Sequence, residues 1–165
     1  MPDAYGSNAE ADAYHTARGN ETWVGLAGDA KSAARLRASQ WLDGAYAHRW
    51  PGRRVSGRSQ LRDWPRENGF DAGGFEIPDD TIPPEVLMAT YEAALREAVT
   101  PGSLSPDFTP ADGVKSETVG PISTTYRDGV GAEGQRPIVT VIDDILASLI
   151  GRRASGVSTA MLKRA

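Results

Sequence analysis

The sequence predicts a mainly α fold: a small bundle of about four helices with a β-hairpin, a long extended connector loop and a C-terminal arm. Apolar residues recur at steps of three and four in several stretches, and they alternate in one short stretch. With 18 glycines and 11 prolines in 165 residues, much of the remaining chain is expected in loops. We therefore assign residues 1–151 to one helical domain and residues 152–165 to the arm.

The first helix is predicted by its start signal. Ser7 and Glu10 have the capping-box spacing, in which each side chain bonds the backbone N–H of the other residue. The helix should run from about Asn8 to Arg18, and Gly19 then occupies the position that favours a left-handed residue. Trp23 follows in a short connection and is expected to pack into the core.

The second helix should extend from about Asp29 to near His48. Its apolar face is rich in alanine, which allows another helix to approach closely, while Trp41 and Leu42 supply most of the burial at one end. The positions on this face are Ala30, Ala34, Ala38, Trp41, Leu42 and Ala45.

The third helix should begin at Pro83-Pro84, because proline at the first helical position lacks only an N–H that would be unpaired anyway. Pro101-Gly102 should stop it, and Val86 is expected to lie off the buried stripe. That stripe is predicted to contain Leu87, Tyr91, Ala94, Leu95 and Ala98.

The last helix should begin near Pro137 and end at Gly151. Its apolar residues cover more of the circumference than a surface helix of a monomer needs. We expect one stripe to be buried within the subunit: Ile138, Val141, Ile142, Ile145 and Leu149. The remaining apolar residues would then form a subunit interface together with Trp64 and Pro65 of the connector: Val139, Leu146 and Ile150.

Two short strands, residues 114–119 and 122–126, should pair across a turn at Gly120-Pro121. An isolated two-stranded hairpin is marginal in water. This one is therefore expected to lean on a helix or on another subunit.

The sequence offers no constellation for catalysis or metal binding. Neither His15 nor His48 is followed by a carboxylate at the metal-ligand spacing of i+3 or i+4, and there is no cysteine. The acidic pairs at 79–80 and 143–144 are adjacent residues, which do not face each other on a helix. We expect a protein that is not an enzyme and uses no cofactor or metal.

An arginine-rich stretch interleaved with Trp50 and Trp64 is open to two interpretations. Arginines beside aromatic rings are typical of grooves that bind single-stranded nucleic acid, but they can also pair with acidic surfaces on a neighbouring subunit. A net charge of −4 argues against a nucleic-acid footprint over the whole surface. The candidate DNA-facing residues are Arg49, Arg53, Arg54, Arg58, Arg62 and Arg66.

The C-terminal arm offers few apolar residues to offset the entropy of ordering it. It is expected to be disordered alone and to become ordered against a partner, with Val157, Met161 and Leu162 as its apolar anchors. The basic residues of the arm would pair with carboxylates of that partner: Arg152, Arg153, Lys163 and Arg164.

Blocks of sequence at fixed spacing carry a family resemblance over roughly residues 4 to 150. They include Ser-Asn-Ala-Glu-Ala-Asp-Ala-Tyr-His from residue 7, Trp-Pro-Arg from residue 64, Ile-Pro-Asp-Asp-Thr-Ile-Pro-Pro from residue 77 and Val-Lys-Ser-Glu-Thr-Val-Gly-Pro-Ile from residue 114. In these blocks the chain resembles a tailed-phage family of DnaT-like single-stranded-DNA-binding proteins. Those proteins also look like the head-to-tail connector, or neck adaptor, family.

The resemblance implies closed rings of about 12 copies, placed beneath the portal of the capsid, that prolong the DNA channel toward the tail. It also implies that the arm binds the portal protein and that the far side meets a tail-side neck or stopper protein. We therefore expect a structural adaptor of the virion neck, assembled in the host bacterial cytoplasm, with DNA passing through it and no membrane contact. The alternative is a single-stranded-DNA-binding accessory protein that uses the arginine-rich stretch.

Overall fold

Five helices and three short antiparallel strand pairs make up the part of the chain that the computed structural model describes, which is residues 4–107, 116–119, 122–125 and 137–151. The mainly α fold predicted from the sequence is confirmed. The helices are α1 (Asn8–Thr16), α2 (Glu21–Val24), α3 (Gly28–Tyr46), α4 (Pro84–Val99) and α5 (Thr140–Ile150). None of the helices in the described ranges combines the length and the apolarity that a membrane crossing requires.

The start of α1 follows the predicted cap. Ser7 Oγ accepts a hydrogen bond from the Glu10 backbone N–H at 3.2 Å, and Gly19 has a φ of +69° just after the helix. The helix ends at Thr16, two residues before the predicted Arg18. The connection around Trp23 is a single helical turn, α2, and the Trp23 ring is fully buried.

The centre of the fold is the contact between α3 and α4. Ala34, Ala38 and Leu42 of α3 are fully buried, as the alanine-rich face predicts, although Ala30 is exposed. On α4 the predicted stripe was partly wrong, because Val86 is fully buried while Leu87 and Leu95 are only partly so. The α4 surface is enclosed on more than one side, since α5 and α1 also pack against it.

The predicted orientation of α5 was partly wrong. Its buried residues follow the spacing of three and four that a helix contact needs. Ile142 and Leu149 are buried as predicted, but Ile138 is 66% and Val141 37% exposed. Val139 and Leu146, which were predicted to lie off the buried stripe, are buried in their place. The buried residues of α5 and of the position just before it are Val139, Ile142, Leu146 and Leu149.

The connector, which we define as residues 47–83 between α3 and α4, is more structured than an extended loop. It contains β1 (Arg53–Arg54) paired with β2 (Arg66–Glu67), a 3₁₀ turn at Gly57–Ser59, and β3 (Gly69–Phe70) paired with β4 (Glu76–Ile77). The Trp64-Pro65 peptide bond is cis.

The predicted hairpin is present as β5 (Ser116–Val119) and β6 (Ile122–Thr125), with Val119 opposite Ile122. The turn predicted at Gly120-Pro121 and the arm predicted at residues 152–165 lie outside the described residues.

Candidate functional site in the connector

The two tryptophans of the arginine-rich stretch point inward. Trp50 is 6% and Trp64 1% exposed, and their ring centroids lie 5.8 Å apart in an edge-on contact. Trp50 also packs on Tyr46 at the end of α3, with 5.7 Å between the ring centroids. Because both rings are enclosed, neither offers a face on which a nucleic-acid base could stack.

Two of the arginines form ion pairs with carboxylates that are largely shielded from water. Arg62 Nη1 donates to Asp43 Oδ2 of α3 at 3.1 Å, and both side chains are largely shielded from water. Arg54 Nε donates to Asp63 Oδ1 at 2.6 Å, where the carboxylate is 3% exposed. Charge-assisted pairs are strong when they are shielded from water, which applies to Arg62 and Asp43. In the second pair the Arg54 side chain is 39% exposed and only the carboxylate is buried.

Tyr5 joins this cluster from the segment before α1. Its hydroxyl donates to Asp43 Oδ1 and accepts a hydrogen bond from the Trp64 backbone N–H at 3.1 Å. Burial raises the pKa of Tyr5 far above its usual range, and burial also raises the pKa of Asp43. The cluster therefore ties three distant parts of the chain together.

Arg66 serves as an internal clamp of the connector. Its guanidinium donates to the carbonyl oxygens of Pro51 at 2.6 Å and Gly52 at 2.7 Å, and more weakly to that of Asp63 at 3.4 Å. Gly52 has a φ of +64°, and a Cβ there would come within 2.3 Å of the Glu67 carbonyl oxygen. Only glycine at position 52 therefore allows the backbone to approach Glu67 as closely as it does beside Arg66.

Arg49 links the connector to the end of α5. Its Nη2 donates to the Gly151 carbonyl oxygen at 2.7 Å, while Nη1 lies 3.5 Å from Asp143 Oδ1. The guanidinium also lies 5.6 Å from the centre of the Tyr46 ring. This arginine therefore holds two elements of one subunit together.

Arg53 and Arg58 are the members of the arginine-rich stretch that face water. Arg53 is 76% exposed along its side chain, although its Nε donates to Glu67 Oε1 at 2.6 Å. Arg58 is exposed and makes no hydrogen bond or ion pair with any described residue. Of the six predicted DNA-facing residues, the structure thus brings five into contacts within the subunit, and Arg53 is the one of these five that stays mostly exposed.

The predicted subunit-interface residues reach the surface of this fold only in part. Leu146 and Trp64 belong to the core of the single subunit, and Val139 is only 9% exposed. Ile150 and Pro65 are half-buried. In the described subunit, α5 presents Val139 and Leu146, rather than Ile138 and Val141, to the other elements. The subunit interface itself stays a prediction. The predicted portal-binding residues 152–164 lie outside the described residues.

Two exposed aromatic side chains on the β3–β4 hairpin were missed by the sequence interpretation. Phe70 is 54% and Phe75 75% exposed, on either side of the turn at Gly73-Gly74. Asp71 Oδ1 organises that turn by accepting from the N–H groups of Gly73 at 2.8 Å and Phe75 at 2.9 Å. Aromatic residues flanking a Gly-Gly turn are a signal that could have marked this hairpin as a contact surface.

Within the described ranges, no group of three or more His, Asp or Glu side chains is arranged to hold a metal ion.

A family described as "Putative DnaT-like ssDNA binding protein" matches residues 2–165 of the chain. No curated protein and no solved structure matches the chain.

Proposed function

The chain belongs to the DnaT-like single-stranded-DNA-binding family, and we propose that it works as a structural adaptor in the neck of a tailed-phage particle. In this role it would assemble with copies of itself, bind the portal protein and a tail-side protein, and surround DNA in transit. The proposal combines the resemblance of its sequence blocks to neck adaptors with the character of its exposed surface.

The observation that carries the proposal is the inward orientation of the connector arginines. Three of them donate hydrogen bonds to carboxylates or carbonyl oxygens of the same subunit: Arg54, Arg62 and Arg66. The two tryptophans of the stretch, Trp50 and Trp64, are buried. The connector exposes apolar side chains instead: Val55, Leu61, Phe70 and Phe75. Exposed aromatic and apolar groups are what protein–protein interfaces use at their centres.

Assembly into a ring needs one surface that meets a different surface on the next copy, with a rotation that closes. Phe75 is the strongest candidate for such a surface, because it is the most exposed large apolar side chain among the described residues. Removing it should weaken assembly without weakening the fold, since its side chain contributes little to the core.

The test compares Phe75→Asp with Val99→Asp, which alters an equally apolar side chain that is 61% exposed at the end of α4. Both proteins should remain monodisperse and helical. With purified portal, wild type and the Val99 variant should form rings in negative-stain images, and the Phe75 variant should not. Rings formed equally well by the Phe75 variant would remove this hairpin from the interface, and failure of wild type to bind portal or itself would refute the adaptor role.

Single-stranded-DNA binding is the second candidate, and the family description favours it. The side chains available for it are Arg53 and Arg58, with Phe75 as an exposed ring. Five carboxylates and no lysine or arginine occupy residues 67–80, so the field around Phe75 repels phosphates.

Fluorescence anisotropy with a labelled oligonucleotide separates the two functions. DNA binding through the connector should be sub-micromolar at physiological salt, weaken steeply as salt rises, and be lost in Arg58→Glu. The adaptor role predicts weak binding that this substitution hardly changes. Arg18→Glu, just after α1 and beside Tyr14, serves as a charge-matched control outside the connector.

A further inference from the structure

The connector carries two exposed surfaces whose charges are opposite. We call residues 53–61 the basic loop and residues 67–80 the acidic hairpin. The basic loop contains three arginines and no carboxylate, whereas the acidic hairpin contains five carboxylates and neither lysine nor arginine. Only residues 62–66 separate the two along the chain, so every copy of the protein carries both surfaces in one short segment.

The basic loop presents apolar side chains beside an exposed cation. Val55 is 43% and Leu61 56% exposed. Arg58 lies in the 3₁₀ turn between them, and its guanidinium makes no hydrogen bond or ion pair with a described residue. The buried side chain of Gln60 braces the loop, because it donates to two backbone carbonyl oxygens at 2.9 and 2.8 Å and accepts from the Ser56 N–H at 3.1 Å. A surface that is already formed loses less entropy on binding.

The acidic hairpin presents the complementary combination. The Phe75 ring is exposed, and the exposed carboxylates of Glu76 and Asp79 make no hydrogen bond or ion pair with a described residue. Asp71 already fixes the turn by accepting from the backbone N–H of Phe75, so the ring is held in position. Because Phe75 and Leu61 both stay exposed, the two surfaces of one subunit do not cover each other.

We propose that the acidic hairpin of one copy docks on the basic loop of the next copy. Phe75 packs against Val55 and Leu61 at the centre of the contact. Glu76 pairs with Arg58 at its edge, where opposite charges select the register. The contact joins two different surfaces and leaves one of each free on the pair, so it continues from copy to copy, as a ring requires. It rests on the self-assembly proposed above and identifies the surface that receives Phe75.

Two full-length variants that each lose one surface test the contact. Phe75→Asp disables the acidic hairpin and keeps the basic loop, while Leu61→Asp does the reverse. Both side chains are exposed, so both variants should keep the circular dichroism spectrum of wild type. Each variant alone should stay monomeric, whereas an equimolar mixture should form a dimer and nothing larger, because one intact hairpin and one intact loop remain to meet. In sedimentation equilibrium the mixed pair should associate at least about ten-fold more tightly than either variant with itself.

Charge reversal gives an independent measurement. Arg58→Glu and Glu76→Arg should each weaken self-association at least about ten-fold, since like charges then face each other, and the two together in one chain should restore it. Val24→Asp, on an exposed apolar residue of α2, is the control and should leave association unchanged. A double variant that associates no better than the single ones would overturn the pairing of Arg58 with Glu76.

The mixing experiment separates this contact from the adaptor role. A mixture that stays monomeric would overturn the contact, and rings of wild type on portal would then still support the adaptor role. Dimers of Leu61→Asp alone would overturn it as well, by showing that hairpin meets hairpin. A mixed dimer from a protein whose wild type never binds portal would support the contact and refute the adaptor role.

Discussion

Replacing Arg66 by methionine should loosen the connector while leaving the helices formed. Methionine fills much of the same volume but cannot donate hydrogen bonds, so the carbonyl oxygens of Pro51 and Gly52 lose donors at 2.6 and 2.7 Å. Arg66 itself is 9% exposed, which leaves little access for a compensating water.

The magnitude follows from the two short bonds. A hydrogen bond from a charged donor contributes roughly 1.5–3 kcal/mol, and the longer contact with Asp63 adds little. The loss is partly offset because methionine carries no charge that must be desolvated. We expect a decrease of about 3 kcal/mol in the free energy of unfolding, which for a chain of this size lowers Tm by about 6–12 °C.

The assay is urea denaturation followed by tryptophan fluorescence, since Trp50 and Trp64 are buried in the same segment. Arg58→Met is the matched control, because the Arg58 side chain is exposed and makes no hydrogen bond or ion pair with a described residue, and the substitution should change stability by less than about 0.5 kcal/mol. Equal denaturation midpoints for the two variants would refute the clamp.

Three further predictions concern the core. Leu146→Ala should destabilise by about 2–5 kcal/mol and Ile138→Ala by less than about 1 kcal/mol, and comparable values from calorimetry would mean that α5 is rotated. Burial lowers the pKa of His15, so stability should be lost as pH falls below about 6.5, where the unfolded state binds the proton; His15→Gln should flatten this pH profile of urea midpoints. Tyr5→Phe should cost about 1–3 kcal/mol, because the Trp64 N–H loses its acceptor and Asp43 Oδ1 loses the hydroxyl donor, although Arg62 still pairs with Asp43 Oδ2. An unchanged thermal midpoint would contradict the role of this cluster.

Helix boundaries were predictable where a local signal determines them. The Ser7–Glu10 cap, the proline at Pro84 and the glycine at Gly151 act within one turn of the chain, and the structure places helix ends at or beside each of them. The rotation of α5 was not predictable in this way. Apolar residues cover most of its circumference, so two stripes satisfy the helical period and only the shape of the neighbouring helices selects one.

Whether an arginine of the connector is paired within the subunit or faces water depends on residues far away in sequence. Arg62 meets Asp43 of α3, and Arg49 meets Asp143 of α5, so no local pattern distinguishes these side chains from cations that face water. The spacing of Trp50 and Trp64 likewise indicated rings on which bases could stack, although both rings are buried in the structure. What the sequence did predict correctly is that this stretch is a distinct connector between two long helices.

The hydrogen bond between the Tyr5 hydroxyl and the Trp64 backbone N–H joins residues that are 59 positions apart. On a ribosome that adds about 5–20 residues each second, Trp64 is made roughly 3–12 s after Tyr5. Throughout that interval the segment before α1 has only part of its final set of partners. The contact between the first segment and the connector can therefore form only after residue 64 has been made, and a pause before codon 64 should lengthen the time during which the nascent chain is open to proteases and chaperones.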